Sequence, residues 1–522
     1  MYKLLLCWRY LLTRYIALAS VVSVMLGVAT MIIVNAVMLG FTTEMKDRIH
    51  GILADVIFKS HDSNKGFPGY EYHRAEILKV AGDLIEELTP TVVVPGMLTY
   101  QVNGTGPPAS FRVDIIGIDV LTQGKVSKIA SYLQHPENRT NLSFELRNDG
   151  YDIQSSGRNG AIREEMRYAG WGYRRWRTAQ IKYQQRQLEA HQYASERSPH
   201  PEAPDGPADP FLATGLLQSE QATFDPTNEQ HVGIIVGIGT SLCQRTSTID
   251  QETGKKVVRD DLMLMPGDDV TLAFPTSDLP IRFQSDKFTV VDIYESKMAD
   301  YDRTLVFVPI EKLQYLRGMV DTESGEWTIT QILIKAKSGV KIDVLRKRLQ
   351  EVFPPQMYSI TTWRDEQEVL LNAVITERAI LNVLLFLIFV VAGFGILAIF
   401  YMIVVEKQKD IGILKALGAS NGGVMQIFLY YSLLLGIVGS ALGLGMGLLF
   451  VKYIREIATI LSYILQRDVF SPEVYSFYEI PTIVDIPTVI GIIAGAILIA
   501  VSAGVLPAMR AARVHPVETI RS

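Results

Sequence analysis

The sequence predicts a membrane α-helical protein: four transmembrane helices bearing an α+β extracytoplasmic domain. Three observations lead there. Residues 15–43, 379–405, 416–451 and 486–509 contain no charged side chain, and each reaches the roughly 20 residues a helix needs to cross the hydrocarbon core. Residues 44–378 are polar by comparison and hold short β-rich segments bounded by turn residues. Lys and Arg gather at one set of span ends, the side that stays cytoplasmic. The averages alone, 522 residues with 48% hydrophobic, 20% charged and net charge −5, would suit three or four soluble domains of roughly 150 residues each. The clustering decides otherwise.

Composition also excludes function classes. With no Lys/Arg-rich block and no acidic tail, the chain is no nucleic-acid binder. Two cysteines, Cys7 and Cys243, cannot form a disulfide framework or a thiolate zinc site. The histidines show no metal-ligand spacing, so no metal site is expected.

Taken in order, residues 1–14 form a cytoplasmic N-terminus with Lys3, Arg9 and Arg14. The span 15–43 is about twice the 7–15 apolar residues of a signal peptide and lacks a small-x-small site after Gly40. It reads as a retained span, and Asn35, its only amide, is expected to face protein rather than lipid. The helical pattern continues from Glu44 through Ile52 as a stalk.

Residues 44–378 form the outer domain. Strands are predicted at Thr91–Val94, Phe111–Ile118, Val232–Val236, Asp269–Phe274, Phe288–Tyr294, Thr304–Val308 and Thr328–Ile334. Helices are predicted at Tyr72–Leu88, Ile310–Leu316 and Val340–Val352. Residues 138–211, poor in aliphatics and rich in Arg, Gln and Tyr, read as a solvated insertion. A basic, aromatic helix is expected at Glu164–Ala194, and Ser198–Pro210 is expected as a linker.

The remaining spans are 379–405, 424–451 and 486–509, separated by an inner loop 406–423 and an outer loop 452–485 and followed by a cytoplasmic tail 510–522. Gly439, Gly443 and Gly447, and likewise Gly491 and Gly495, place small residues on one helix face. Such faces suit close packing between this chain's own spans, with a dimer seam as the alternative.

Chemistry is sparse. Gly124-Lys125 and Gly254-Lys255 are followed by Val126 and Lys256, so neither completes a phosphate loop. Gly418-Ala419-Ser420-Asn421-Gly422 fits the Gly-x-Ser-x-Gly elbow of serine hydrolases, but an amphipathic segment rather than a strand leads into it. No catalytic residue is expected. In the inner loop, Ile411, Leu414 and Leu417 recur at helical spacing among Lys407, Asp410 and Lys415. A short amphipathic helix of this kind suits either docking on a partner or simple residence at the interface, and spacing alone leaves both open.

The inner loop, with Glu406, Ile411, Gly412, Leu414, Lys415, Leu417 and Gly418, closely resembles the signature of FtsX-like, MacB-like ABC transporter permeases. The ending, with Pro507, Ala508, Ala511, Ala512, Pro516 and Glu518, is similar to the same family's tail. Within that class three stretches resemble the lipoprotein-releasing (Lol-type) permeases: Arg9 to Ile49, Phe288 to Pro309, and Phe470–Tyr475 with Ile480, Pro481 and Asp485. The likeness covers about residues 1–119 and 233–522, with an FtsX-like permease module at about 379–516; residues 138–211 have no counterpart in it. Around Pro275–Lys287, where some members carry an arm for the lipoprotein carrier, this chain is short.

The resemblance implies a MacB-like periplasmic core domain on a four-helix module in a bacterial inner membrane, with both termini cytoplasmic. It implies an ABC ATPase partner holding ATP and Mg, no cofactor in this chain, and a second permease copy or paralogue. It further implies a lipoprotein substrate drawn from membrane lipid, with a periplasmic carrier as a further partner. Glu406, Lys407, Asp410, Ile411, Gly412, Leu414, Lys415, Leu417 and Gly418 would form the helix coupled to the ATPase. Val34, Val37, Met38 and Phe41 with Leu381, Leu384, Leu385 and Ile388 are expected to line a lateral opening for acyl chains. A MacB-like exporter or a mechanical signal relay is the alternative, and a hydrolase using Ser420 a remote one.

Overall fold

The computed structural model describes residues 15–61, 65–101, 107–151, 161–196, 224–249, 256–277, 280–296, 298–321, 325–465 and 480–513. Residues 1–14, the linker Ser198–Pro210, Phe470–Tyr475, and Pro516 and Glu518 of the tail lie outside them. The chain divides into two units, Met1–Asp47 with Gln367–Ser522, and Arg48–Glu366.

The first unit is built from four helices long and apolar enough to cross a membrane: the first Tyr15–Ile52, the second Glu368–Glu406, the third Asn421–Lys452 and the fourth Ile486–Ala512. Lipid tails are as apolar as Leu, so such helices associate by close packing rather than by hydrophobic drive. The third helix supplies that closeness through its glycines. A Cβ on Gly439 would stand 2.7 Å from Cβ of Val24, one on Gly443 2.7 Å from Cβ of Val28, and one on Gly447 3.2 Å from Cβ of Ile32. Residues four apart on one helix thus meet residues four apart on the other, ridge against groove.

The fourth helix differs from the sequence expectation. A Cβ on Gly491 or Gly495 would meet nothing within 4 Å. The stripe that packs is Ala496, Ala500, Gly504 and Ala508, all buried. Ala500 approaches Gly436, and Gly504 lies against the Ser432 hydroxyl. Ala496 is one residue beyond Gly495 and therefore about 100° around the helix. Glycine spacing marked a small-residue face, and alanine provided the one in use. Two buried polar side chains of the unit bond to carbonyls one turn back: Asn35 Nδ2 donates to Met31 O (3.0 Å) and Ser440 Oγ to Gly436 O (2.6 Å).

The second unit contains a nine-stranded sheet in the order β12-β1-β11-β2-β3-β10-β5-β9-β8 and a three-stranded sheet β4-β7-β6. The strands are β1 Val56–Ser60, β2 Ile85–Gln101, β3 Pro108–Ile118, β4 Ala161–Ile162, β5 Val232–Gly237, β6 Leu242–Ile249, β7 Lys256–Leu262, β8 Asp269–Pro275, β9 Phe283–Tyr294, β10 Leu305–Pro309, β11 Gln331–Ala336 and β12 Tyr358–Thr362. β2 also pairs with β8, Met97 opposite Ala273 through Thr99 opposite Thr271. Strands β2, β3, β10, β5, β9 and β8 therefore close into a ring, where the sequence had suggested only mixed strands and helices. Gly96 permits the closure: a Cβ there would stand 2.5 Å from Ile115 Cδ1 and 2.8 Å from Ala273 O. The ring interior is apolar, with Val94, Leu98, Val113, Ile115, Leu272, Phe274 and Val290 fully or nearly fully buried.

Two further expectations are corrected. The helix foreseen over Tyr72–Leu88 stops at Ala81, and β2 begins at Ile85. Pairing of Ile85–Leu88 with Ile334–Ala336 overrides the local helical pattern. The supposed insertion also enters the body of the unit. Asn138 is fully buried, and its Nδ2 donates to Asp292 at 2.8 Å. Burial pushes the Asp292 carboxyl up to about 6, against the pull of that amide and of the Ile293 and His135 N–H groups. Arg163 pairs with Asp260 (2.9 Å) and Glu295 (2.8 Å), and Arg174 with Asp269 (2.7 Å). Composition concealed these anchors because a buried arginine and a solvated one read alike.

Gly443→Ile should overpack the contact with Val28 and destabilise the protein by about 1–3 kcal/mol, read as a lower midpoint of thermal unfolding in detergent. Gly491→Ile should leave the midpoint unchanged.

Candidate functional site

Of the predicted coupling residues, Asp410, Ile411, Gly412, Leu414 and Lys415 lie on a helix, Gln408–Ala416, between the second and third long helices, with Lys407 and Leu417 as its caps and Gly418 following. One face is anchored. Ile411 is 3% exposed and packs with Val404, Val424 and Ala511. Gly412 is buried beside it. Lys415 Nζ donates to Ala512 O at 2.6 Å, tying the helix to the end of the fourth. Lys407 Nζ bonds Asp410 Oδ2 at 2.7 Å across the first turn.

The other face is open. Ile413 is 51% exposed, Leu414 38% and Leu417 80%. Gly418, at φ +98°, ends the helix, with Gly418 N bonded to Lys415 O and Ala419 N to Leu414 O. That pairing is a Schellman stop, which favours a residue without Cβ. Three exposed aliphatics thus flank an anchored, sharply terminated helix. Glu406 is exposed at the end of the second helix.

Ser420 follows as the N-cap of the third helix, its Oγ accepting from Gly423 N at 3.1 Å. The Gly-x-Ser-x-Gly stretch is a turn between two helices, without the strand that raises a nucleophile above a sheet.

The eight residues expected at a lateral opening are spread more widely. Val34, Val37, Met38, Phe41 and Leu381 are half-buried, Leu384 and Ile388 are about half exposed, and Leu385 is buried. None of them lines the hollow that the structure places among the first, second and fourth helices. That hollow is walled by Ile32, Asn35 and Leu39, with Arg378, Asp485 and Ile492. The residues before the fourth helix close in on the first: Ile483 N donates to Ala36 O at 3.0 Å, and a Cβ on Gly40 would collide with the Pro481 carbonyl. Asp485 caps the fourth helix through Thr488 N at 3.1 Å. Sequence reasoning did not bring Arg378 and Asp485 to the hollow that Asn35 lines, because no periodicity joins residues so distant in sequence.

Residues 382–516 match the family model described as FtsX-like permease C-terminal. The chain carries an FtsX-like permease domain. It is 29% identical over 236 residues to the lipoprotein-releasing system transmembrane protein LolC of Xylella fastidiosa, covering 45% of this chain and 55% of that one. LolC of Haemophilus influenzae is 32% identical over 173 residues, 33% of this chain and 40% of that protein. The macrolide export ATP-binding/permease protein MacB of Neisseria gonorrhoeae is 23% identical over 201 residues, 38% and 28%. The chain spans about half the length of the LolC relative first named.

Ser420→Ala should remove a helix cap and cost about 1 kcal/mol, while leaving the protein's reaction with a serine-directed fluorophosphonate unchanged from background. Labelling that is strong in the unmodified protein and lost in the variant would restore the nucleophile.

Proposed function

We propose that this chain is the permease subunit of an ABC transporter whose separate ATPase drives release of lipoproteins from the outer leaflet of a bacterial inner membrane. The observation that carries the reading is the helix Gln408–Ala416: apolar side chains exposed on one side, the other side locked to the permease domain. Exposed aliphatics on an anchored helix suit a partner's groove. The helix is held by Ile411 and Lys415 to the second, third and fourth helices, so a push on it is delivered to all three. The relatives named for lipoprotein release support the substrate, and the MacB relative leaves export as the second reading.

The work required also fits. Each methylene leaving the bilayer costs about 0.8 kcal/mol, so a substrate with several acyl chains needs an energy source.

Leu414→Asp with Leu417→Asp should leave the permease folded, because both side chains are exposed, yet abolish copurification with the nucleotide-binding subunit. Unchanged copurification and ATPase activity would remove the docking assignment. On this reading the outer ends of the first and second helices, Phe41 among them, face the substrate's acyl chains, so a photoreactive residue at Phe41 should crosslink an acylated lipoprotein in membranes. If macrolide-like small molecules compete for the site and no lipoprotein adduct forms, the export reading replaces this one.

A further inference from the structure

A cleft of about 590 Å³ opens in the second unit between the helix Trp171–Glu196 and the rim of the strand ring. Its size falls within the roughly 300–1,000 Å³ of small-molecule sites. The helix belongs to the stretch with no counterpart in the family resemblance, so the cleft is a feature of this chain rather than of its permease domain.

Its walls divide by chemistry. Ile181, Met263 and Val270 supply apolar surface, and Arg177, Lys182 and Lys287 supply positive charge. That charge is poorly compensated. Lys182 is 56% exposed and reaches Asp225 only at 4.0 Å, and Lys287 makes no ion pair among the described residues. Arg177 stands 3.5 Å from Asp268, which also lines the cleft with Asp269, so the uncompensated charge sits on Lys182 and Lys287.

Arg174, also lining the cleft, is 2% exposed. Its Nη1 donates to Asp269 (2.7 Å) and to Gly267 O (3.0 Å), and its Nε to Glu229 O (3.1 Å). Its Nη2 is buried and meets no acceptor among the described residues. A buried guanidinium nitrogen without an acceptor is costly, so Arg174 adds positive charge beneath the cleft that the protein's own groups only partly satisfy.

We propose that this cleft binds an anionic amphiphile, its carboxylate or phosphate held by Arg177, Lys182 and Lys287 and its apolar body laid against Ile181, Met263 and Val270. The site lies in the unit apart from the docking helix, and it stands or falls independently of the coupling to an ATPase. The charge selects an anion over a neutral lipid, and the aliphatic wall selects an amphiphile over inorganic phosphate.

The test uses the full chain in nanodiscs with three photoactivatable diazirine probes of equal chain length: a fatty acid, the matching fatty alcohol, and a phosphatidylglycerol. Adducts are mapped by peptide mass spectrometry. The acid should label peptides containing Ile181, Met263 or Val270, and the alcohol should label them far less. Lys182→Gln and Lys287→Gln should each reduce labelling about fivefold, the loss of one charge-assisted contact. Both lysines are exposed, so folding should be unaffected, as an unchanged melting midpoint would verify. Labelling by the acid alone identifies a free carboxylate as the ligand. Labelling by phosphatidylglycerol as well identifies a phospholipid. Equal labelling by the alcohol, no adduct at the cleft, or indifference to both lysine changes would overturn the proposal.

Discussion

In a lipid environment the first unit has no hydrophobic effect to draw its helices together, so everything in it depends on how closely two backbones can approach. Gly439, Gly443 and Gly447 allow that approach to Val24, Val28 and Ile32. The ridge fixes the axial position of the first helix. That position places Gly40 beneath the Pro481 carbonyl and Asn35 on the same hollow as Arg378 and Asp485. A second set of small residues, Ala496, Ala500, Gly504 and Ala508, seats the fourth helix against the third. The helix Gln408–Ala416 then rests on ends already placed, through Ile411 and Lys415.

What was legible in the sequence followed physical periodicity. Apolar runs of bilayer length exposed the four long helices, and alternating β-branched segments marked seven stretches that fall in or overlap β2, β3, β5, β8, β9, β10 and β11. Strands β1 and β12 went unrecognised: both are short and mixed in polarity, whereas the equally short β10 is continuously apolar from Leu305 to Pro309. The ring closure was invisible because it rests on a pairing between Met97–Thr99 and Thr271–Ala273, far apart in the chain, and on one glycine that leaves room for it.

The candidate site was legible to different depths. Ile411, Leu414 and Leu417 were readable as a helical stripe, but which of them anchors and which stays open is decided by Val404, Val424 and Ala511, on three other helices. The residues expected at a lateral opening were chosen by depth along two helices, and depth does not specify azimuth: Leu385 is buried while Leu384 and Ile388 are about half exposed. Charge density misled in the second unit for a related reason: Arg163 and Arg174, read as solvated, are buried partners of aspartates brought by β7 and β8.

In the proposed function, the exposed end of the helix Gln408–Ala416 is a docking surface for the ATPase. The most direct measurement places a single cysteine at Leu417, with Cys7 and Cys243 replaced by Ser, and applies a bismaleimide crosslinker to membranes containing the nucleotide-binding subunit. An adduct with the combined mass of permease and ATPase is predicted, absent when the cysteine is placed instead at Ile437, an exposed position in the third helix. No adduct from Leu417, or an equal one from Ile437, would contradict it.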